Sequence, residues 1–220
     1  MLPILFILIL MILSPLLFGE IMLASLHKLH LSPQAALTLM IGMFLGGLVN
    51  IPIRRIWRDN TVVTHPLDIY GLSRFLPELQ RRASETIVAV NLGGCIIPVG
   101  IALYEIAFLA TLGSSLFLAV AVGCAINIVV CYAVARPVPH IGIAMPAFVS
   151  PLTAAALATL LASEAAAPAA FIIGIAGPLV GADLLHLREV EATETGVVSI
   201  GGAGTFDGII LSGMLAAYLA

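Results

Sequence analysis

Charged residues are scarce in this chain, at 10% of 220 residues, where a soluble domain carries about 25%. So few charges do not cover a water-facing surface, which excludes an ordinary soluble globule. With 61% hydrophobic residues and a mean hydropathy of +1.16, the chain is not a disordered protein. The net charge of −3 provides no basic face, which excludes a nucleic-acid binder. The composition is typical of a polytopic membrane protein.

Cysteine is also rare, and the spacing of the three cysteines matches no metal-binding or redox motif. Cys95, Cys124 and Cys131 lie in apolar stretches without the spacing of a metal site or a redox CxxC pair. We expect them to behave as small hydrophobic residues. The apolar N-terminal stretch lacks the basic leader and small-residue cleavage site of a secretory signal, so we expect a first span that is retained.

Seven apolar stretches are each long enough to cross the hydrocarbon core as a helix. An edge strand or open loop does not cross, because its backbone amides find no water there. We therefore predict an all-α bundle of about seven transmembrane helices, forming a single domain over residues 1–220, with helices broken by Gly and Pro near the C-terminus. The predicted spans are 2–23, 35–53, 86–108, 115–135, 141–162, 168–187 and 197–219.

The positive charges predict the orientation. With seven spans, eight of the nine Lys and Arg residues share one side of the membrane, and Lys28 alone lies on the other. Since cytoplasmic loops are enriched in Lys and Arg, we predict a cytoplasmic N-terminus and an outer C-terminus in the cell membrane. The arginines on the predicted cytoplasmic side are Arg54, Arg55, Arg58, Arg74, Arg81, Arg82, Arg136 and Arg188.

Two polar connectors interrupt the apolar stretches. The Arg-rich loop at about 54–84 includes a segment, 69–82, whose helical spacing and basic face suit an anionic leaflet. That segment is either a membrane-hugging connector or a gate or docking site. The shorter connector, Leu23–Leu31, carries His27 and His30, which we expect to form an exposed polar edge rather than a metal site.

Polar residues at membrane depth are costly and are therefore candidates for function. Of these, Glu20, Asn50 and Glu105 are expected near span ends, where they reach the headgroups. Asn91 and Asn127 are expected to hydrogen-bond between helices, or alternatively to line a transport site.

Two aspartates, Asp183 and Asp207, stand apart because they lie on the last two spans, which a short connector joins as a hairpin. They meet if span seven begins with a non-helical, Gly-rich segment, since Gly permits unusual backbone angles. The neighbouring residues that support such a site are Pro178, Gly181, His186, Gly201, Gly202 and Gly204.

This arrangement has three interpretations. In the first, the paired carboxylates share a proton and activate water for peptide hydrolysis inside the membrane. In the second, they bind a proton or cation in a transport cycle or channel. In the third, each Asp caps a helix and the glycines only permit close packing. One His among three ligands is a weak metal pattern, so we predict neither a metal nor another cofactor.

The segments GADLLHL and GGAGTFDGIILSG, with the overall layout, resemble an uncharacterised prokaryotic membrane-protein family, domain of unknown function 1614. The resemblance covers most of the chain and implies no established activity. The layout of one Asp on each of the last two spans is also similar to that of presenilin and signal-peptide-peptidase type intramembrane aspartyl proteases. By that similarity, Asp183 and Asp207 would be the catalytic pair.

The chain departs from the protease pattern at several positions. Gly204-Thr205-Phe206 precedes Asp207 where those proteases have Gly-x-Gly, and Ala182 precedes Asp183 where they have Tyr. No Pro-Ala-Leu motif follows. The expected partners are the lipid bilayer and either a transmembrane peptide substrate or a small ion. Small residues such as Gly42 and Gly46 permit close helix contacts within one chain or between copies, so oligomerisation stays open.

Overall fold

The computed structural model describes residues 16–57, 85–138, 142–193, 196–202 and 208–220. Within these residues the fold is all-α, with seven helices and two small sheets at one end. The helices are α1 (Leu16–His27), α2 (Pro33–Gly46), α3 (Leu92–Leu112), α4 (Ser114–Val134), α5 (Val149–Leu161), α6 (163–193) and α7 (Gly208–Leu219).

Three of these helices are long and apolar enough to cross a membrane: α3, α4 and the Ser163–Glu189 part of α6. The helices α1, α2, α5 and α7 are shorter and also apolar. This set of helices is that of a membrane protein. The predicted first span lies partly in residues 1–15, and the amphipathic segment 69–82 lies wholly in 58–84; both stretches are outside the described residues.

Short strands replace helix at the ends of several predicted spans. The strands β1 (Asn50–Trp57), β2 (Glu85–Asn91) and β5 (Gly196–Ile200) form one sheet in the order β1-β2-β5, with β2 antiparallel to β1 and parallel to β5. A second sheet pairs β3 (Arg136–Val138) with β4 (Gly142–Ala144). Spans two, three, five and seven were therefore predicted too long.

The reason for this correction lies in the residue types. The apolar part of β2, Thr86 to Val90, and the Val197–Val198 pair of β5 are rich in β-branched residues, which favour extended backbone. Hydropathy measures only apolar character, so a short apolar strand adjoining a helix is scored as one continuous span.

Close packing of the last two helices forms the centre of the bundle. The middle of α6 is buried throughout from Pro168 to Ile175. A Cβ atom on Gly174 would lie 2.9 Å from the Ser212 carbonyl oxygen and 3.0 Å from the Gly213 Cα, so only glycine permits this approach of α6 to α7. Small residues at helix contacts are typical of membrane bundles.

Two polar regions lie at opposite ends of the bundle. The strand end comprises the β1-β2-β5 sheet, the turn Gly201–Gly202 after β5, and Asp183 of α6. The turn end comprises residues 28–32, which join α1 to α2, together with Glu105 of α3. Since α3 starts at the sheet and Glu105 follows Gly94 by 11 residues, the two ends are about 16 Å apart along this helix at 1.5 Å per residue.

Candidate functional site

The helix that carries Asp183 is not regular. Within α6, an α-helical stretch (Ala166–Ala176) is followed by a π-helical segment, Gly177–Leu184, before the α-helix resumes at Leu185. Pro178 lacks a backbone N–H and cannot donate the usual α-helical bond, which explains the change in winding. Wide turns of this kind are frequent at functional sites.

Asp183 lies near the end of this π-helical segment and connects it to the sheet. Its carboxylate is partly buried, and Oδ2 accepts a hydrogen bond from the Gly201 backbone N–H at 3.2 Å. Gly201 and Gly202 have φ values of +83° and +79°, a conformation that favours glycine. The segment after β5 is therefore a glycine turn whose amide points at the Asp183 carboxylate.

A cavity of about 320 Å³ lies beside Asp183. Its walls come from the π-helical segment, the β4–α5 connection and the first turn of α7. The residues that line it are Ile143, Ala144, Met145, Ala147, Pro178, Ala182, Asp183, Gly208, Ile209 and Leu211.

The second predicted aspartate is not among these residues. Asp207 and Gly204 lie outside the described residues. Asp207 immediately precedes Gly208, which lines the cavity together with Asp183. The meeting of the Asp183 and Asp207 carboxyl groups therefore stays a prediction.

The other predicted supporting residues of α6 face helix α4. A Cβ atom on Gly181 would lie 2.9 Å from the Cys131 Cβ, so glycine permits the close contact there. The His186 ring is buried and stacks on Tyr132 at a centroid distance of 4.8 Å. Its Nδ1 lies 3.0 Å from the Ala182 carbonyl oxygen, which identifies Nδ1 as the protonated nitrogen. His186 thus packs α6 against α4, and its Nδ1 is hydrogen-bonded to backbone carbonyls rather than to Asp183.

Asn91 organises the strand end. Its Oδ1 accepts a hydrogen bond from the Gly94 N–H at 2.7 Å, which caps the start of α3, and its Nδ2 donates to the Gly47 carbonyl oxygen at 2.7 Å. The Asn91 Nδ2 also donates to the Asn50 Oδ1, which accepts a further bond from the Ser199 hydroxyl at 2.6 Å. These bonds connect the C-terminal end of α2 with β1, β2, α3 and β5 in one polar junction beside Asp183.

Asn127 lies in a separate polar cluster in the middle of the bundle. Its Nδ2 donates to the Ile173 carbonyl oxygen at 2.9 Å and to the Ser150 hydroxyl at 3.1 Å. The Ser150 and Ser212 hydroxyls are 2.6 Å apart, and all three side chains are buried. The cluster joins α4, α5, α6 and α7. Ser150 and Ser212 were not predicted from the sequence, where the only indication of their role is a hydroxyl group inside an apolar stretch.

Glu105 was expected at the headgroups, and the structure corrects this. Its side chain has no exposed surface, and its carboxylate pairs with His30 in the connector between α1 and α2. The two residues are 75 positions apart, so no local pattern predicts their meeting. His30 was expected on an exposed polar edge, and its side chain is 37% exposed.

No group of three or more His, Cys, Asp or Glu side chains with the geometry of a metal site occurs in the part of the chain that the structure describes. Of the cysteines, Cys95 and Cys131 are buried and Cys124 is partly buried, each as a free thiol.

Comparison with known proteins identifies one related family. The model of the family described as "Protein of unknown function (DUF1614)" matches residues 44–219. The match includes the cavity, Asp183 and Asn91 and excludes α1. No curated protein and no solved structure is significantly similar to the chain.

Proposed function

The chain belongs to the family described as "Protein of unknown function (DUF1614)", whose description assigns no activity, and we propose that this membrane protein is an intramembrane aspartyl hydrolase. Asp183 and Asp207 are its proposed catalytic pair. A peptide that spans the membrane is the proposed substrate.

The observation that carries this proposal is the hydrogen bond from the Gly201 N–H to the Asp183 carboxylate, beside a cavity. This bond holds the π-helical segment against the turn from which the chain continues to Asp207. Gly208, the residue after Asp207, lines the same cavity. With the Asp207 carboxyl group at the same cavity, the pair would suit hydrolysis, because two carboxyl groups in contact do not both ionise, so one acts as base and the other as acid on a water molecule.

The sheet beside Asp183 suits a peptide substrate. Among the described strands, β5 pairs with β2 on one side and forms one edge of the sheet. An exposed edge strand accepts an extended peptide through backbone hydrogen bonds. A peptide paired with β5 would run next to Gly201, and therefore next to the carboxylate that Gly201 contacts.

The test uses Asp183→Asn and Asp207→Asn in protein purified in micelles and assayed against a panel of transmembrane peptides. We expect the wild-type protein to cleave at least one peptide and each variant to lose cleavage by at least about 100-fold, the usual range for a general acid or base. Glu164→Gln, which alters an exposed acid at the start of α6, is the matched control and should retain full activity. Cleavage that persists in both Asp variants, or a wild-type protein that cleaves no peptide, contradicts the proposal.

Coupled transport of a proton or cation is a second candidate, because both elements at the cavity are discontinuous. Helix α6 changes to π-helix, and residues 196–219 contain a strand and a glycine turn before α7. Transporters bind ions at such breaks. Flux driven by pH or ions in proteoliposomes, abolished by either Asn substitution, would favour transport. A non-catalytic subunit would show neither activity and would co-purify with a partner complex.

A further inference from the structure

A second acidic site lies at the turn end, outside the proposed hydrolase site. We propose that Glu105 binds a proton that reaches it through His30, from the face of the bundle opposite Asp183. This proposal does not depend on the hydrolase or on transport. It concerns a side chain that neither function uses.

The burial of Glu105 is the first argument. The residue lies inside α3, about 10 Å from the last residue of that helix, Leu112, and its side chain has no exposed surface. A buried carboxylate inside a membrane-spanning helix is costly unless it is paired, and such groups mark proton and ion pathways.

The contacts of this carboxylate are the second argument. Oε1 accepts a hydrogen bond from the His30 backbone N–H at 3.0 Å, and Oε2 lies 2.9 Å from the His30 Nδ1. Within the described residues, His30 therefore supplies both hydrogen-bond partners of the Glu105 carboxylate. Neither partner carries a permanent charge, because a backbone amide is neutral and an imidazole can carry its proton on either ring nitrogen.

The placement of His30 is the third argument. Its ring stacks on Phe108 at a centroid distance of 3.6 Å, and its backbone oxygen accepts a bond from the Tyr104 hydroxyl at 2.9 Å. These contacts from α3 fix the ring with Nδ1 toward Glu105. The side chain is nevertheless 37% exposed, so the ring reaches from the buried carboxylate to the surface.

Lys28, the charged residue of the connector nearest to His30, makes contacts apart from the Glu105–His30 pair. The Lys28 ammonium donates to the Tyr218 carbonyl oxygen at 2.7 Å and lies 5.7 Å from the centre of the Tyr218 ring. Helix α2 contributes no titratable side chain. The other titratable side chains in the parts of the described helices and connectors nearest the turn end are Glu20, His27, Lys28, Tyr104, Cys124, Glu164 and Tyr218.

The proposed transfer is a relay across the imidazole. A hydronium ion breaks one O–H bond, gives its proton to Nε2 and leaves as water; the N–H bond at Nδ1 breaks, and that proton forms an O–H bond with Oε2 of Glu105. The imidazole is neutral before and after the step, with its proton moved from Nδ1 to Nε2. The carboxylate becomes a neutral carboxyl group, which removes a buried charge.

Infrared spectroscopy of the purified protein in micelles tests the proposal. On a rapid drop from about pH 8 to about pH 4, we expect the C=O stretching band of a protonated carboxyl group to appear. Part of this band should be absent in Glu105→Gln and retained in Glu164→Gln. A spectrum of Glu105→Gln identical to that of the wild-type protein overturns the proposal.

The relay itself is tested by His30→Gln. A glutamine amide can donate a hydrogen bond to Glu105 but does not pass a proton between two atoms. We expect the Glu105 band to appear at least about 10-fold more slowly, because a positioned proton carrier raises the rate of proton transfer by more than this factor. An unchanged rate shows that the proton arrives by another route and overturns the role of His30. The comparison of the rate in His30→Gln with the wild-type rate needs no Glu105 variant, so it also tests the proposal if Glu105→Gln does not fold.

Discussion

The strand end and the turn end of the bundle are both polar, but different parts of the chain build them. At the strand end, backbone groups form the hydrogen bonds to the polar side chains. The Gly201 N–H donates to Asp183, the Gly94 N–H donates to Asn91, and the Gly47 carbonyl oxygen accepts from Asn91. At the turn end, the α-helical part of α3, Ile97–Leu112, presents side chains, and Glu105 and Tyr104 hold His30.

The two ends should therefore tolerate substitutions differently. A site made by close backbone contacts depends on the absence of side chains, so added atoms should damage it. A site made by side chains on a regular helix depends on charge balance, so removal of one partner should damage it. Four substitutions test that contrast, in order of decreasing expected loss of stability.

Gly94→Ala should have the largest effect, because an added Cβ would overlap the Gly201 carbonyl oxygen, a backbone atom. We expect the free energy of unfolding to fall by about 3 kcal/mol or more, the upper range for overpacking. Gly100→Ala in the same helix is the control. Its Cβ would meet nothing within 4 Å, so it should raise the helix stability by up to about 1 kcal/mol. Unfolding in mixed micelles measures both, and equal effects would contradict a backbone-built strand end.

His30→Ala should have the next largest effect, because it leaves the buried Glu105 carboxylate without its side-chain partner. Breaking a buried pair costs about 3–5 kcal/mol, and we expect about 2 kcal/mol because His30 is partly exposed. Adding Glu105→Gln to this variant removes the unpaired charge and should recover most of the loss. A double variant less stable than His30→Ala alone would show that charge balance does not govern the turn end.

Asn127→Ala tests the cluster between the two ends. It removes the donor to the Ile173 carbonyl oxygen and to Ser150 in a fully buried place, so we expect a loss of about 2 kcal/mol. Ser115→Ala, at an exposed position of the same helix α4, should change stability by less than about 0.5 kcal/mol. Thermal unfolding of both variants makes the comparison. Matching losses would remove the structural role assigned to the cluster.

Asp183→Asn should have the smallest effect on stability. The carboxylate is partly buried, and an Asn side-chain oxygen still accepts the Gly201 N–H, so we expect a change below about 1 kcal/mol. The same variant should lose activity in the cleavage assay. A large loss of stability would mean that Asp183 serves the fold, and would leave the loss of activity uninformative.

Parts of the candidate site could be predicted locally, and others could not. Asp183, Pro178 and the glycines near residue 201 are conspicuous in the sequence, because an acid, a proline and a glycine pair interrupt apolar stretches. One partner of the Asp183 carboxylate is a backbone amide 18 positions away, which no residue type reveals. Likewise, Ser150 and Ser212 are unremarkable until the folded chain brings their hydroxyls within 2.6 Å.

The sequence alone determined that this is a helical membrane protein, because total apolar content and the length of apolar runs are properties of the chain that do not depend on its folding. It also determined where helix α4 lies, since the predicted span 115–135 differs by one residue at each end from Ser114–Val134. The strands at the ends of other apolar runs and the pairing of Glu105 with His30 became visible only in the folded structure. Strand pairing and buried charge pairs join residues far apart in the chain, so their free energy exists only once the chain has folded.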